Sequence, residues 1–158
     1  MKIHIQNGRL IDPANRLDGQ HDLFIADGKI VGVGSAPDGF TAERTIDASG
    51  LVVAPGLIDL AARLREPGFE YKATLESEMD AAMAGGVTSL AIPPDTDPVL
   101  DEPGLVEMLC YRAKKLNRAH IYPVGALTIG LKGEQLSEMA ELVEAGCVAF
   151  SQANTPIL

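Results

Sequence analysis

Two regimes of apolar patterning divide the chain near Pro55. In the first, apolar positions come in short runs separated by turn residues. Lys2 to Ile5 alternates, and Asn7-Gly8 signals a turn ahead of Arg9-Leu10-Ile11. Leu23-Phe24-Ile25 and Lys29-Ile30-Val31 flank Asp27-Gly28, the signature of a tight hairpin. Gly32, Gly34, Pro37 and Gly39 punctuate the next stretch, and Thr45-Ile46 and Leu51-Val52-Val53 complete an expected small antiparallel sheet.

After Pro55 the period lengthens. Leu57 to Leu60 is a strand-like run, and Leu75, Met79, Ala82 and Met83 recur at helical spacing before Gly85-Gly86 stops them. Val87 to Ile92 is a second strand, followed by the loop PPDTDP. Asp101 is placed to cap a second helix with Pro103 in its first turn, and Leu105, Met108, Leu109, Ala113 and Leu116 form its stripe. His120 to Leu127 reads as a third strand. Leu136, Met139, Leu142 and Val143 mark a third helix closed by Gly146, and Cys147 to Phe150 a fourth strand. Strands and helices in strict alternation predict a parallel sheet with right-handed crossovers. A doubly wound sheet and a (β/α)8 barrel both satisfy that pattern. A barrel takes roughly 250 residues, so a barrel reading of these 158 residues implies about half of one.

Composition narrows the chemistry. The chain is 46% hydrophobic and 22% charged, with 4% aromatic residues and no Trp, so its core is built from aliphatic side chains. A net charge of −9 argues against nucleic acid or an anionic membrane as partner, because phosphate recognition needs clustered Lys and Arg. Cys110 and Cys147 form no C-x-x-C pair and read as small core residues. With no apolar leader at MKIHIQNGRL and no run long enough to span a bilayer, the expected location is cytoplasmic.

Three motifs carry more. VAPGLIDLAARLREPG, GGVTSLAIPPDTDP and GLKG…EAGCVAFSQANTP occur in that order along the chain. Together they resemble the dihydroorotase family, whose patterns run P-G-x-I-D-x-H-x-H-x-R-x-P-G, G-G-x-T-x-x-x-x-M-P-N-T-x-P and G-L-K-G…E-A-G-x-x-A-F-S-D-D-G-x-P. The resemblance runs along essentially the whole chain. It implies an α/β fold of the metal-dependent-hydrolase type, with residues 55–158 as the first part of a (β/α)8 barrel. Residues 1–54 would be the N-terminal portion of a small β-sandwich.

In that family the two histidines of H-x-H, two apart on a strand and so on one face, hold zinc at the C-terminal end of the barrel. The metal supplies a water acidic enough to act at neutral pH. Here those positions are Ala61 and Arg63. Alanine has no donor atom, and a guanidinium has no lone pair to offer a metal. The acids of S-D-D-G are replaced by Gln152 and Ala153, and the substrate-binding Asn of M-P-N-T by Asp95, a carboxylate expected to repel an anionic substrate. Arg65 stands where the family's arginine clamps the substrate carboxylate. It is either a binding remnant or an arginine paired with Glu66, Glu70 or Asp59. Asp59, Ala61 and Arg63 are expected on one strand face, with Arg63 filling the metal's space and pairing with Asp59. His120, and Asp95, Asp97 and Asp101 as a group, read better as structural residues than as ligands.

The resemblance therefore implies a chain without catalytic residues or metal. Its role would be that of the inactive family members associated with aspartate carbamoyltransferase, a hetero-oligomeric partner in pyrimidine biosynthesis. The competing expectation is an active cyclic amidohydrolase with an altered zinc site. A third is a barrel that binds a pyrimidine intermediate through Arg65 without turnover.

Overall fold

A computed structural model describes residues 1–157. The chain divides into two compact units, Met1–Pro55 and Gly56–Leu158.

The first unit holds seven strands: β1 (Lys2–Gln6), β2 (Arg9–Asp12), β3 (Leu17–Gln20), β4 (Leu23–Ala26), β5 (Lys29–Val33), β6 (Arg44–Asp47) and β7 (Val52–Val53). The hairpin at Asp27-Gly28 forms as its sequence predicts, with both turn residues at positive φ (51° and 74°). The single antiparallel sheet does not. β1 pairs antiparallel with β4 but parallel with β6, while β2 pairs antiparallel with β3 and parallel with β7. Two mixed sheets result, ordered β5-β4-β1-β6 and β3-β2-β7. Asn7-Gly8 is therefore the crossing point between sheets rather than a hairpin. Gly8 is needed there because a Cβ would lie 2.7 Å from the Val53 side chain and 3.0 Å from Ala48. β3, with its LDGQ sequence, carried too little apolar signal to be predicted.

Aspartates tie the ends of these strands. Asp22 Oδ2 lies 2.8 Å from His4 Nε2, and its Oδ1 accepts the Asn7 N–H. Asp47 accepts from the Ser49 hydroxyl and amide and from the Asn7 side chain. Both carboxyls are held below the ordinary carboxylate range, Asp22 chiefly by His4 and Asp47 chiefly by the Ser49 hydroxyl. A depressed carboxyl stabilises the fold fully above its unfolded value, about pH 4, and that contribution disappears as pH falls through the folded value. The unfolding midpoint is therefore expected to fall below pH 4 more steeply in the wild type than in an Asp47→Asn variant. Parallel acid limbs would contradict this.

The second unit alternates as predicted: β8 (Leu57–Asp59), α1 (Leu75–Ala84), β9 (Val87–Ile92), α2 (Pro103–Leu116), β10 (His120–Ala126), α3 (Met139–Ala145) and β11 (Ala149–Ser151). The four strands form one parallel sheet in the order β11-β10-β9-β8, a curled half-barrel in which each helix returns the chain to the next strand. Leu75 and Met79 of α1, Leu90 and Ile92 of β9, Val106, Leu109 and Ala113 of α2, and Leu142 of α3 make one aliphatic core. Cys147 joins it, and burial, with Cys110 nearby, pushes its thiol up to about 11. Both cysteines are free. Among the described residues no helix is long and apolar enough to cross a membrane.

The boundaries shift in three places. α3 starts at Met139, so Leu136 falls in the preceding loop, where it is exposed and bridges to Thr128. β11 begins two residues after Cys147, because the Cys147 and Val148 amides bond Leu142 and Pro123 instead. Asp101 does not cap α2. Glu102 occupies the cap position without a side-chain bond, while Asp101 Oδ2 accepts the Gly130 amide at 2.6 Å. The first turn closes on the Glu102 carbonyl, which accepts the Leu105 and Val106 amides, and Pro103 has no N–H that needs a partner.

Candidate functional site

The site is built where the chain leaves the C-terminal ends of β8 and β9. β8 is short because the Asp59 side chain bends it: Oδ1 accepts the Ala61 amide at 2.9 Å, a local turn that interrupts the extended backbone. Ala62 then donates to the Ala91 carbonyl, so the segment still tracks β9 after strand geometry has ended. Two-residue alternation does not survive that turn. Ala61 and Arg63 lie beyond the end of β8, yet Asp59, Ala61 and Arg63 still line one cavity of about 270 Å³ together with Leu64 and Leu90. Arg63 does not pair with Asp59.

Arg63 reaches across to β9's exit loop instead. Its Nε donates to Asp95 Oδ2 at 2.7 Å, with about a third of each side chain exposed (32% and 29%). Asp95 is held by its own loop, in which Pro94 accepts from the Thr96 and Leu100 amides and the Thr96 hydroxyl donates to Pro98. The carboxylate expected to repel an anion is thus neutralised by the arginine expected to replace a metal.

Arg65 follows in the left-handed region, φ 63°, and lines the same small cavity as Arg63, Phe69, Ile92, Asp95 and Thr96. That cavity holds only about 10 Å³ among the described residues. None of the ion pairs there involves Arg65, so pairing with Glu66, Glu70 or Asp59 is not what holds it. Glu66 is occupied elsewhere. It is 2% exposed, its Oε2 accepts the Leu75 amide at 2.7 Å, and its Oε1 pairs with the Arg112 guanidinium of α2. One carboxylate therefore joins the Arg65 loop to the N-terminus of α1 and to α2. The sequence offered Glu66 only as a partner for Arg65, and its role as a brace between α1 and α2 was missed. Arg112 lies one position from the apolar stripe Leu109, Ala113, Leu116, which was the only available signal.

Gln152 and Ala153 lie just past β11, on a separate part of the rim. The Gln152 amide meets the buried Thr128 hydroxyl at 2.8 and 3.0 Å, and that hydroxyl also accepts the Gly133 amide. Gln152 is thereby committed to closing the GLKG loop. Ala153 adopts φ 52° with its amide bonded to Ser151 Oγ. His120 is at the opposite end of its strand, at the start of β10.

The four positions Ala61, Arg63, Gln152 and Ala153 do not fit a divalent metal. Ala61 offers nothing, Arg63 is a cation bound to Asp95, Gln152 is spent on Thr128, and Ala153 has no side-chain donor. Among the described residues no three His, Cys, Asp or Glu side chains converge as a metal cluster.

Comparison with known proteins agrees with this architecture. The family described as Dihydro-orotase-like matches residues 50–157. A Dihydroorotase-like protein of Pseudomonas aeruginosa is 54% identical over 151 residues, covering 96% of this chain and 36% of its own length. One from Pseudomonas putida is 51% identical, with 95% and 35% covered. A Dihydroorotase of Syntrophotalea carbinolica is 46% identical, with 99% and 37% covered. The chain thus spans little more than a third of these relatives. Among solved structures, the L-hydantoinase (dihydropyrimidinase) of Arthrobacter aurescens superposes with a TM-score of 0.79 at 23% identity, over 94% of this chain and 32% of that one, a likeness of fold. With the half-barrel, the three motifs and these matches in agreement, the chain belongs to the dihydroorotase-like family.

Proposed function

We propose that this chain is the first part of a dihydroorotase-like protein without catalytic activity, kept for assembly with aspartate carbamoyltransferase. The observation that carries the non-catalytic half is the Arg63–Asp95 bond at 2.7 Å. One position of H-x-H holds a cation already bound to a carboxylate, the other is Ala61, and neither position offers a metal a ligand. The relatives named Dihydroorotase-like protein, rather than Dihydroorotase, are also the more similar of those compared. The assembly role rests on the family resemblance, in which inactive members accompany that enzyme.

A second reading, an active cyclic amidohydrolase with an altered metal site, draws on the 46% identity to a protein named Dihydroorotase and on the retained Arg65. One preparation separates the two. The purified protein is expected to carry less than about a tenth of an equivalent of zinc, to leave carbamoyl aspartate unchanged, and to co-elute with aspartate carbamoyltransferase on size exclusion. Stoichiometric zinc together with turnover would establish the second reading. Absence of co-elution would remove the assembly role while leaving the loss of catalysis standing.

A further inference from the structure

Two of the departures from the family pattern touch each other. Arg63 and Asp95 are 32 residues apart, on segments leaving adjacent parallel strands, and their side chains form one hydrogen-bonded ion pair. Taken singly, each change is costly. Arg63 in place of an imidazole puts a permanent cation into a partly buried rim, and Asp95 in place of an amide puts an anion there. With about a third of each side chain exposed, an unpaired charge there is disfavoured, though less than in a dry core. Taken together, the charges cancel.

We propose that Arg63 and Asp95 are one compensated exchange, and that their ion pair ties the ends of β8 and β9 together in place of a metal. The proposal rests on the reading that this site has given up its metal, and it adds what replaced it. The geometry favours a tie over a chance surface contact. Asp95 is held by a loop braced at Pro94, which accepts the Thr96 and Leu100 amides, and at Pro98, which accepts the Thr96 hydroxyl, and the bond is made by Nε, the guanidinium nitrogen nearest the backbone. Arg65 is the contrast. It lines the same cavity and matches the family pattern, yet makes no ion pair among the described residues. The substituted arginine is the one that has acquired a partner.

The test is a neutral double-mutant cycle, Arg63→Gln, Asp95→Asn and both, read as unfolding midpoints of the purified protein with zinc content measured in parallel. Each single variant is expected to lower the midpoint by roughly 3–8 °C, and the double variant by no more than the worse single, because the second change removes a charge the first left unpaired. The charge swap Arg63→Asp with Asp95→Arg is expected to recover at least half of what either reversal alone loses. Additive losses in the neutral cycle, with zinc absent, would overturn the exchange and leave the non-catalytic reading intact. Stoichiometric zinc in the wild type would overturn both.

Discussion

Replacing Glu66 with alanine is expected to destabilise the second unit by about 3 kcal/mol, the largest effect of any single polar side chain near the site. The carboxylate is 2% exposed and serves two partners. Removing it leaves the Leu75 amide at the first turn of α1 without an acceptor, a loss of about 1–2 kcal/mol. It also takes an anion away from a helix N-terminus and frees the Arg112 guanidinium. Arg112 is half exposed and can turn to water, which keeps the total below the upper range for a fully buried pair. Glu66→Gln keeps an oxygen for Leu75 and should cost only about 1 kcal/mol. Denaturant unfolding of the three proteins checks this. Equal losses for Ala and Gln would show that charge, rather than the capping bond, dominates.

Gly68→Ala is expected to cost a similar amount for a different reason. Gly68 has φ +97°, and an added Cβ would stand 2.2 Å from the Asp97 carbonyl oxygen and 2.8 Å from its Cα. These are backbone atoms of the loop that presents Asp95, so no rotamer change relieves the clash. The loops must separate, at about 2–4 kcal/mol. Gly86→Ala is the control. It shares a positive φ (+79°) but meets nothing within 4 Å, so only the backbone cost of about 1 kcal/mol remains. A Gly68 variant no worse than the Gly86 variant would mean that the two loops are not pressed together as described.

Both predictions concern residues that hold the site rather than form it, and that division marks where sequence reasoning succeeds. The helices α1 and α2 were legible because their core faces recur every three to four residues and their boundaries carry local signals, a stop at Gly85-Gly86 after α1 and a start at Pro103 for α2. Alternation alone gave a parallel sheet, while its sequential barrel order came from the resemblance to the family motifs. In the first unit most strands and the Asp27-Gly28 hairpin were legible in the same way, but the pairing of the sheets was not. β1 and β2 are neighbours in sequence yet belong to different sheets, and the partners that make those sheets mixed, β6 and β7, arrive some 40 residues later. Nothing in a window of ten residues records such a pairing.

At the site, what residue type alone decides was decided by the sequence. Alanine has no donor and arginine no lone pair, so Ala61 and Arg63 are unfit to hold a metal whatever the fold does. What the tertiary structure decided is where the charges go. Local spacing pointed Arg63 at Asp59, but Asp59 spends its carboxylate on the Ala61 amide and ends the strand, and Arg63 is carried over to Asp95. Gln152 turned to Thr128, Asp101 to Gly130, and Glu66 to Leu75 and Arg112 in the same way. Most of these partners lie more than ten residues away along the chain. Side-chain chemistry is a property of the residue, whereas the partner that satisfies a buried charge or amide is a property of which strands and loops become neighbours.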